Sequence, residues 1–180
     1  MDTDLNQHID ALIKSPATIR QIRFATDSRP ASGNVQKADF PRLDIMLDGQ
    51  LHDAGIKADP PVLSRHDVLF IHAGGWHSPR WQSPCTVLSI VFGKQQLELT
   101  LTRWNGSMLN VEERLQVPRR GPRTGSFLLQ ALNEMQMQPQ EQHTARYIVI
   151  SLLSHCADLL GSQVHTASRS QALFEAIRKY

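Results

Sequence analysis

The sequence predicts a mainly β fold with added helices, in which an antiparallel sandwich or closed barrel is followed by a helical hairpin. Between residues 40 and 103, apolar residues recur at every second position in short segments separated by Gly and Pro turns, with no helical pattern between them. Before and after this region, apolar residues recur at helical spacing. The length of 180 residues suits one compact domain with an appended helical piece, and two domains are the alternative.

The chain begins with a predicted amphipathic helix over residues 4–14. Its apolar side chains share one face: Leu5, Ile9, Leu12 and Ile13. Ser15-Pro16 ends the helix. Residues 19–24 have the composition of a strand, and residues 25–38, which are rich in Ser, Gly, Asn and Lys, predict a loop. We therefore expect residues 1–38 to be an N-terminal helix and arm.

Residues 39–122 are expected to form the β domain. Alternating apolar and polar residues over 43–47 predict a strand with one face in the core, which ends at an Asp48-Gly49 turn. Further strands are predicted at residues 62–63, 68–72, 85–92 and 96–103. The last two flank Gly93-Lys94-Gln95, so we expect them to form a hairpin.

Helical spacing returns after the β domain. Residues 126–138 and 143–160 predict two helices, and their short connection over 139–142 is typical of an antiparallel hairpin. Gly161 is expected to end the second helix. Residues 168–180 have the pattern of another helix.

Composition excludes several classes of protein. The net charge is +2 and the 19 basic residues are spread along the chain, so the sequence has no strong footprint for nucleic acid. The N-terminus is acidic and polar and the longest apolar run, residues 147–154, is too short for a bilayer, which indicates a cytoplasmic protein without a membrane partner. Cys85 and Cys156 have no disulfide or zinc spacing and are expected to be small apolar fillers.

One segment carries a family resemblance. Residues 66–77, HDVLFIHAGGWH, resemble the second cupin motif, G-x5-P-x-G-x2-H-x3-N, in which a strand enters a Gly-bearing turn and returns with an inward-pointing His. Three residues fit the motif: Asp67, Gly74 and His77. Three others stand where Gly, Pro and Asn are usual: His66, His72 and Trp81. Residues 40–44, 75–81 and 88–92 extend the likeness to the cupin sensor domain of AraC-type regulators, and residues 172–180 resemble the approach to that family's DNA-binding domain.

The resemblance implies a cytoplasmic transcription regulator that is not an enzyme. The fold it implies is a cupin-like antiparallel β-barrel, or jelly roll, over 39–122, followed by a dimerising helical hairpin over 123–165. Residues 166–180 would begin the linker to a helix-turn-helix domain that is absent from this chain, and DNA would be bound only through that domain. The implied partners are a small-molecule effector and a second copy of the chain.

Candidate ligand-binding residues lie around the motif: Arg42, Asp44, His72, Trp76, His77, Arg80 and Trp81. Aromatic walls with a few placed polar groups are typical of small-ligand sites. In the alternative, the tryptophans fill a barrel end and Arg80 pairs with a carboxylate such as Asp44. Alternation leaves open whether Arg42 or Leu43 faces inward, because a barrel with a pocket can place polar residues inside.

The second helix of the hairpin carries the predicted dimer interface: Ile148, Leu152, Cys156 and Leu159. A helix so apolar must be covered on most sides, and a partner copy would cover it. Complete burial within the monomer is the alternative. The basic cluster over 119–123 is interpreted as a solvated loop, with an anion site as the second interpretation.

The first cupin motif, whose two His and one Glu bind a metal together with the second motif's His, requires an H-x-H pair. The chain contains no such pair, and the segment where these ligands would fall offers only His52 and Asp53. We therefore expect no metal and no cofactor. The alternative functions are a stand-alone cupin enzyme, an isomerase or dioxygenase acting on a small molecule, and a ligand-free cupin that serves only dimerisation.

Overall fold

A computed structural model describes residues 4–31, 33–57, 60–119, 123–137 and 141–178, with only the backbone from residue 163 onward. The helices are α1 (Asp4–Lys14), α2 (Arg123–Glu134) and α3 (Gln142–Arg178), with short 3-10 turns at Pro16–Thr18 and Met135–Met137. The strands are β1 (Ile22–Phe24), β2 (Gln36–Lys37), β3 (Arg42–Asp53), β4 (Val62–Ser64), β5 (Val68–Ile71), β6 (Trp76–His77), β7 (Pro79–Arg80), β8 (Cys85–Phe92), β9 (Gln96–Trp104) and β10 (Leu109–Pro118). The expected mainly β fold with helices is confirmed. None of the described helices is long and apolar enough to cross a membrane.

The principal sheet has the strand order β1-β5-β3-β8-β9-β10. All neighbours are antiparallel except β1 and β5, which are parallel. The far half of β3 also pairs with β4 and β7, and β2 pairs with β6 in a separate ribbon. Over the described residues the two end strands, β1 and β10, do not pair, so the sheet is not closed. The prediction of a closed barrel was therefore wrong for this part of the chain.

The predicted Asp48-Gly49 turn is also wrong, because β3 continues through it to Asp53. The register between β3 and β8 shifts between Met46 and Asp48, so the extra residue is absorbed in a β-bulge. Gly49 has a φ of +75°, and a Cβ at this position would collide with the carbonyl oxygen of Pro84. The glycine thus permits a bulge and a close approach within one long strand.

Strand β10 was not predicted. Apolar residues recur at every second position over 109–117, but Glu113 interrupts them and Leu109 and Val111 are exposed. The register with β9 also shifts between Val111 and Glu113. The strand forms by pairing along the length of β9, after a turn in which the Asn105 side chain accepts hydrogen bonds from the backbone N–H groups of Ser107 and Met108. Its existence therefore depends on the neighbouring strand.

The helical hairpin exists, but its second helix is longer than predicted. Helix α3 runs through Gly161 as far as Arg178, so Gly161 does not end it and residues 168–178 are not a separate helix. Glycine in a helix interior costs about 1 kcal/mol relative to alanine, which a helix anchored by packing can bear. Residues 138–140 of the predicted connection, and residues 179–180, lie outside the described residues.

Two apolar clusters lie on opposite faces of the principal sheet. The larger one joins the sheet to all three helices and includes Leu5, Leu43, Phe70, Leu132 and Leu152. Helix α1, predicted with its bounds, belongs to this cluster, so the N-terminal arm and the hairpin share one core. The smaller cluster lies on the other face and includes Met46, Leu69, Ile71 and Val87. Cys85 and Cys156 are buried within these clusters as expected.

A hydrogen-bonded clasp joins β1 to the start of α3. The side-chain amide of Gln142, at the start of α3, accepts a hydrogen bond from the backbone N–H of Ile22 at 2.8 Å. The same amide donates to the carbonyl oxygen of Ile22 at 3.0 Å. Gln142 therefore replaces a missing neighbour strand beside β1.

Candidate functional site

The register of β3 decides which of its residues face the helices. Leu43 and Ile45 are fully buried in the helix-side cluster. Because side chains alternate along a strand, Arg42 and Asp44 lie on the opposite face, which we call the distal face. The sequence pattern left open which side of the sheet Arg42 and Leu43 face. In the structure Leu43 faces the helices and Arg42 faces away from them.

A row of polar residues crosses the distal face. Asp44 on β3 is paired in register with Ser89 on β8, Ser89 with Thr100 on β9, and Thr100 with Arg114 on β10. In the adjacent row, Arg42 is paired with Val91, and Val91 with Glu98. The same face becomes apolar further along the strands, where Met46 is paired with Val87. The distal face is therefore divided into a polar half and an apolar half.

Three of these side chains form a closed hydrogen-bond network. The Nε of Arg42 donates to Oδ1 of Asp44 at 2.7 Å, and its Nη2 donates to Oγ of Ser89 at 3.1 Å. The hydroxyl of Ser89 in turn donates to Oδ1 of Asp44 at 2.6 Å. Burial disfavours the charge of Arg42, but the carboxylates around it, Asp44 first and then Asp53 and Glu98, together outweigh burial, so the pKa of Arg42 is raised above its usual value.

The network is buried on one side and open on the other. The side chain of Asp44 is 6% exposed, whereas that of Arg42 is 28% exposed. A cavity of about 430 Å³ lies at this end of the face and is lined in part by Val91 and Glu98, the cross-strand neighbours of Arg42. The lining of this cavity does not include Arg42 itself, but a partly exposed guanidinium held by Asp44 can hydrogen-bond a polar or anionic ligand.

A second pair of titratable groups is also buried. Asp53 lies at the end of β3 and His77 at the end of β6. Oδ1 of Asp53 accepts hydrogen bonds from the backbone N–H of Gly55 at 2.7 Å and of Ser78 at 2.6 Å. Its Oδ2 lies 4.0 Å from Nδ1 of His77. A Cβ at Gly55 would collide with the carbonyl oxygen of Trp76, so glycine is required for this close approach.

Burial shifts both of these groups towards their neutral forms. Burial raises the pKa of Asp53 to about 6, although the two backbone N–H groups act in the opposite direction. Burial also lowers the pKa of His77, and the positive charge of Arg42 lowers it further. The charges of Arg42 and Asp44 influence both groups, so the network and the pair share one electrostatic environment.

The other predicted ligand residues are distributed over different surfaces. His72 lies with its Nε2 2.8 Å from Oδ1 of Asp27, facing α2 and not the distal face. The Trp76 ring lies beneath two cations, Arg29 and Lys37, at 5.6 and 5.7 Å from its centroid. Trp76 is therefore covered by surface cations.

Arg80 and Trp81 follow the His77 strand. The backbone of Arg80 pairs with His52 on β3, and its side chain is half-buried. Trp81 packs against the apolar half of the distal face. The structure thus brings Arg42, Asp44 and His77 into one environment. Sequence reasoning named Asp53 only as a weak metal-ligand candidate and missed Ser89, whose position depends on the register of β8.

The predicted dimer interface faces the core of its own chain. Leu152 and Cys156 are fully buried, Leu159 is 9% exposed, and Ile148 packs partly buried against the same cluster. Within the single chain, α1, α2 and the sheet already cover most of the surface of these side chains, in line with the alternative of burial within the monomer. Their role in an interface with a second copy stays a prediction. Among the side chains of this helix that the structure describes, Tyr147 is a large apolar one that is exposed, at 60%.

Among the residues that the structure describes, no three His, Cys, Asp or Glu side chains come together as metal ligands would. The expected absence of a metal stays a prediction.

Comparison with known proteins identifies two regulators of Escherichia coli K12. The chain is 55% identical over 177 residues to the uncharacterized HTH-type transcriptional regulator YijO, covering 98% of the chain and 62% of that protein. It is 32% identical over 152 residues to the uncharacterized HTH-type transcriptional regulator YpdC, covering 83% of the chain and 52% of that protein. The chain thus spans between about half and two thirds of these relatives. No protein-family model and no solved structure matches it.

Proposed function

From its homology to HTH-type transcriptional regulators, we propose that the chain is the effector-sensing part of an AraC-type regulator with a cupin-derived fold. In this proposal it binds a small molecule on the distal face, associates with a second copy, and controls a helix-turn-helix domain. DNA recognition would belong to the part of those regulators that the chain does not span. The alternative of a stand-alone cupin enzyme has no support in the names of the relatives.

The Arg42–Asp44–Ser89 network is the observation that carries the proposal. Burying an ion pair costs desolvation energy that a face of apolar side chains would avoid. The Arg42–Asp44 pair therefore contributes little net stability compared with apolar side chains. A role in ligand binding explains better why it lies on this face. The network holds the guanidinium in one orientation, and its cross-strand neighbours Val91 and Glu98 line a cavity. A small-ligand site requires such a fixed polar group.

Strand β3 can transmit the binding event to the helices. Its Arg42 and Asp44 would contact the ligand, while its Leu43 and Ile45 pack in the cluster shared with the helices. A ligand that binds one arrangement of strand and helices more tightly than another shifts the population towards that arrangement. This is how occupancy of the distal face would alter the attached DNA-binding domain.

A thermal-shift screen of polar metabolites tests the proposal, because a ligand of the folded state raises the melting temperature. The conservative variant is Arg42→Lys, which keeps the positive charge beside Asp44 but removes the planar fork of donors. Its matched control is Arg103→Lys, since Arg103 forms an exposed ion pair with Glu112 on β9 and β10. We expect a metabolite that stabilises the chain and the control and binds at least tenfold more weakly to Arg42→Lys. A metabolite that binds all three proteins equally would refute the distal-face site.

A further inference from the structure

A second cavity lies on the opposite side of the sheet from the distal face. It has a volume of about 610 Å³ and lies between α2 and the ends of β5 and β8, and we call it the α2 cleft. Phe70, Phe92 and Leu129 line it, and all three belong to the helix-side cluster. The cleft is therefore separate from the Arg42 network, although Phe40 and Lys94 also border the cavity on the distal side.

The α2 cleft has an apolar middle. Its wall is formed by the rings of Phe40, Phe70 and Phe92 together with Leu129. Phe40 is 38% exposed, so part of an aromatic ring faces the cleft without being covered by the chain. An apolar ligand body would remove this surface from water, which is favourable in proportion to the apolar area buried.

Two cations lie at one end of the cleft, whose lining also includes the carboxylate of Asp39. Lys94 lies in the turn between β8 and β9, and Arg119 follows β10. Arg119 is held in place at this end, because its Nη1 donates to the carbonyl oxygen of Gly93 at 2.8 Å and its Nη2 lies 3.4 Å from Oγ of Ser126. Arg119 is the first residue of the basic cluster over 119–123, which was expected to be a solvated loop. This residue lines a cavity instead.

The opposite end is closed by a polar bridge. His72 lines the cleft there and bonds to Asp27, whose other carboxylate oxygen accepts a hydrogen bond from Lys57 at 2.6 Å. Lys57 also lies 3.4 Å from Oε1 of Gln136, just beyond α2. The positive charge of Lys57 is thus already matched by Asp27, and hydrogen bonding to Lys57 lowers the pKa of Asp27.

Helix α2 runs from one end of the cleft to the other. Ser126, Leu129 and Asn133 all line the cleft at helical spacing, Ser126 beside Arg119 and Asn133 seven residues further along the helix. A ligand in the cleft would contact α2 over two turns. Because α2 packs on α3, such a ligand would also fix the hairpin against the sheet.

We propose that the α2 cleft binds a small amphipathic monocarboxylate, an aromatic or medium-chain acid. Its carboxylate lies at Lys94 and Arg119, and its apolar body lies against the phenylalanine rings and Leu129. The volume is within the range of about 300 to 1,000 Å³ that small-molecule sites occupy. Charge-assisted hydrogen bonds to the two cations select an acid over a neutral molecule of the same shape.

Isothermal titration of the 180-residue chain with 3-phenylpropionate and octanoate tests the proposal, with 3-phenylpropionamide and octanamide as neutral counterparts. We expect the acids to bind and the amides to bind at least tenfold more weakly. Lys94→Gln is expected to weaken acid binding about tenfold, and Lys14→Gln, in the exposed last turn of α1, serves as the matched control. Lys94 is exposed, so its replacement leaves the fold intact.

Arg42→Lys separates this site from the distal face, and acid binding is expected to be unchanged in it. Equal binding of acids and amides, or no effect of Lys94→Gln, would overturn the proposal, as would failure of both acids to bind at millimolar concentration. Loss of acid binding in Arg42→Lys would move the ligand to the distal face, overturning the α2 cleft while supporting the distal-face site.

Discussion

The Nε of Arg42 lies 2.7 Å from Oδ1 of Asp44, two residues further along the same strand and on the same face. The pair is fixed from the next strand by Ser89, which hydrogen-bonds to both residues. The negative charge of the buried Asp44 is thus compensated by the partly exposed guanidinium of Arg42.

Removing that guanidinium is expected to destabilise the fold. Arg42→Met leaves Asp44 buried with Ser89 as its remaining side-chain partner, so we expect the free energy of unfolding to fall by about 3 kcal/mol. The double variant Arg42→Met/Asp44→Leu removes both charges and should recover most of this loss. Urea denaturation measures all three proteins. If the double variant is as unstable as the single one, the charge pairing does not explain the loss.

The buried carboxyl of Asp53 makes stability depend on pH. Its pKa is about 6 in the folded chain against an ordinary value of 3.8, so the folded state holds the proton more tightly. The resulting stabilisation is fully present below about pH 4 and is lost as the pH rises through about 6.

Asp53→Asn cannot ionise, and its side-chain oxygen can still accept the N–H groups of Gly55 and Ser78. The stability of this variant relative to the unmodified chain should therefore improve by up to about 3 kcal/mol between pH 4 and pH 7.5. The lowered pKa of His77 acts in the opposite direction, because its contribution is lost as the pH falls below 6.5, but this change is common to both proteins. A difference in stability that is constant with pH would contradict the prediction.

Replacing either of two glycines by alanine should change the free energy of unfolding in opposite directions. Gly161 lies inside α3 with open space around the position of a Cβ, so Gly161→Ala should raise the free energy of unfolding by about 0.5 to 1 kcal/mol. Gly49 has a positive φ and no room for a Cβ, so Gly49→Ala should lower it by about 1 to 3 kcal/mol. Thermal and urea unfolding measure both changes. A neutral Gly49→Ala would show that the bulge relaxes freely.

Leu152 is expected to stabilise the single chain and not a contact between copies. Leu152→Ala should cost about 2 to 5 kcal/mol, because it leaves a cavity in the helix-side cluster. Tyr147→Ala, on the exposed side of the same helix, should cost much less. The loss in Leu152→Ala should be the same at two protein concentrations tenfold apart. A loss that depends on concentration would restore Leu152 to a subunit interface.

The division of labour with a DNA-binding domain is also testable. The chain should bind DNA weakly and without sequence preference, because its charge is only +2 and its basic residues are dispersed. A chimera that carries this chain in place of the 177 aligned residues of YijO should bind the same DNA as YijO. Selection from random DNA defines that site, and gel shifts compare the three proteins. Tight sequence-specific binding by the chain alone would refute the proposal.

Local patterns were sufficient for the elements whose faces differ most in polarity. Helix α1 and strand β9 have one apolar side each, so their periodicity predicts them from neighbouring residues. Strand β8 is apolar on both faces and was predicted from its composition and the turn that follows it. Strand β10 was missed although apolar residues alternate over 109–117, because Glu113 interrupts the pattern and only pairing with β9 shows that the strand continues through an irregularity between Val111 and Glu113. The Asp48-Gly49 pair was misread because the same two residues serve a turn and a bulge equally well.

In the candidate site, too, local sequence predicts some contacts and the pairing of strands decides the others. Arg42 and Asp44 could be placed together, since residues two apart on a strand share a face. Their contact with Ser89 requires the register of β3 against β8, which local sequence does not encode. His72 and His77 were grouped because they are close in sequence, yet the turn between them directs one towards α2 and the other towards Asp53.

The clasp between Gln142 and Ile22 affects how the chain folds during its synthesis on the ribosome. The two residues are 120 positions apart, and the N-terminus of α1 similarly bonds Glu113, 108 positions away from Leu5. During synthesis, Leu5 can therefore acquire its partner only 108 residues later, and Ile22 its partner only 120 residues later. At about 5 to 20 residues per second, the N-terminal arm waits for several seconds with its apolar stripe uncovered. During that interval the arm exposes the apolar face of α1, and transiently exposed apolar surface of this kind favours aggregation.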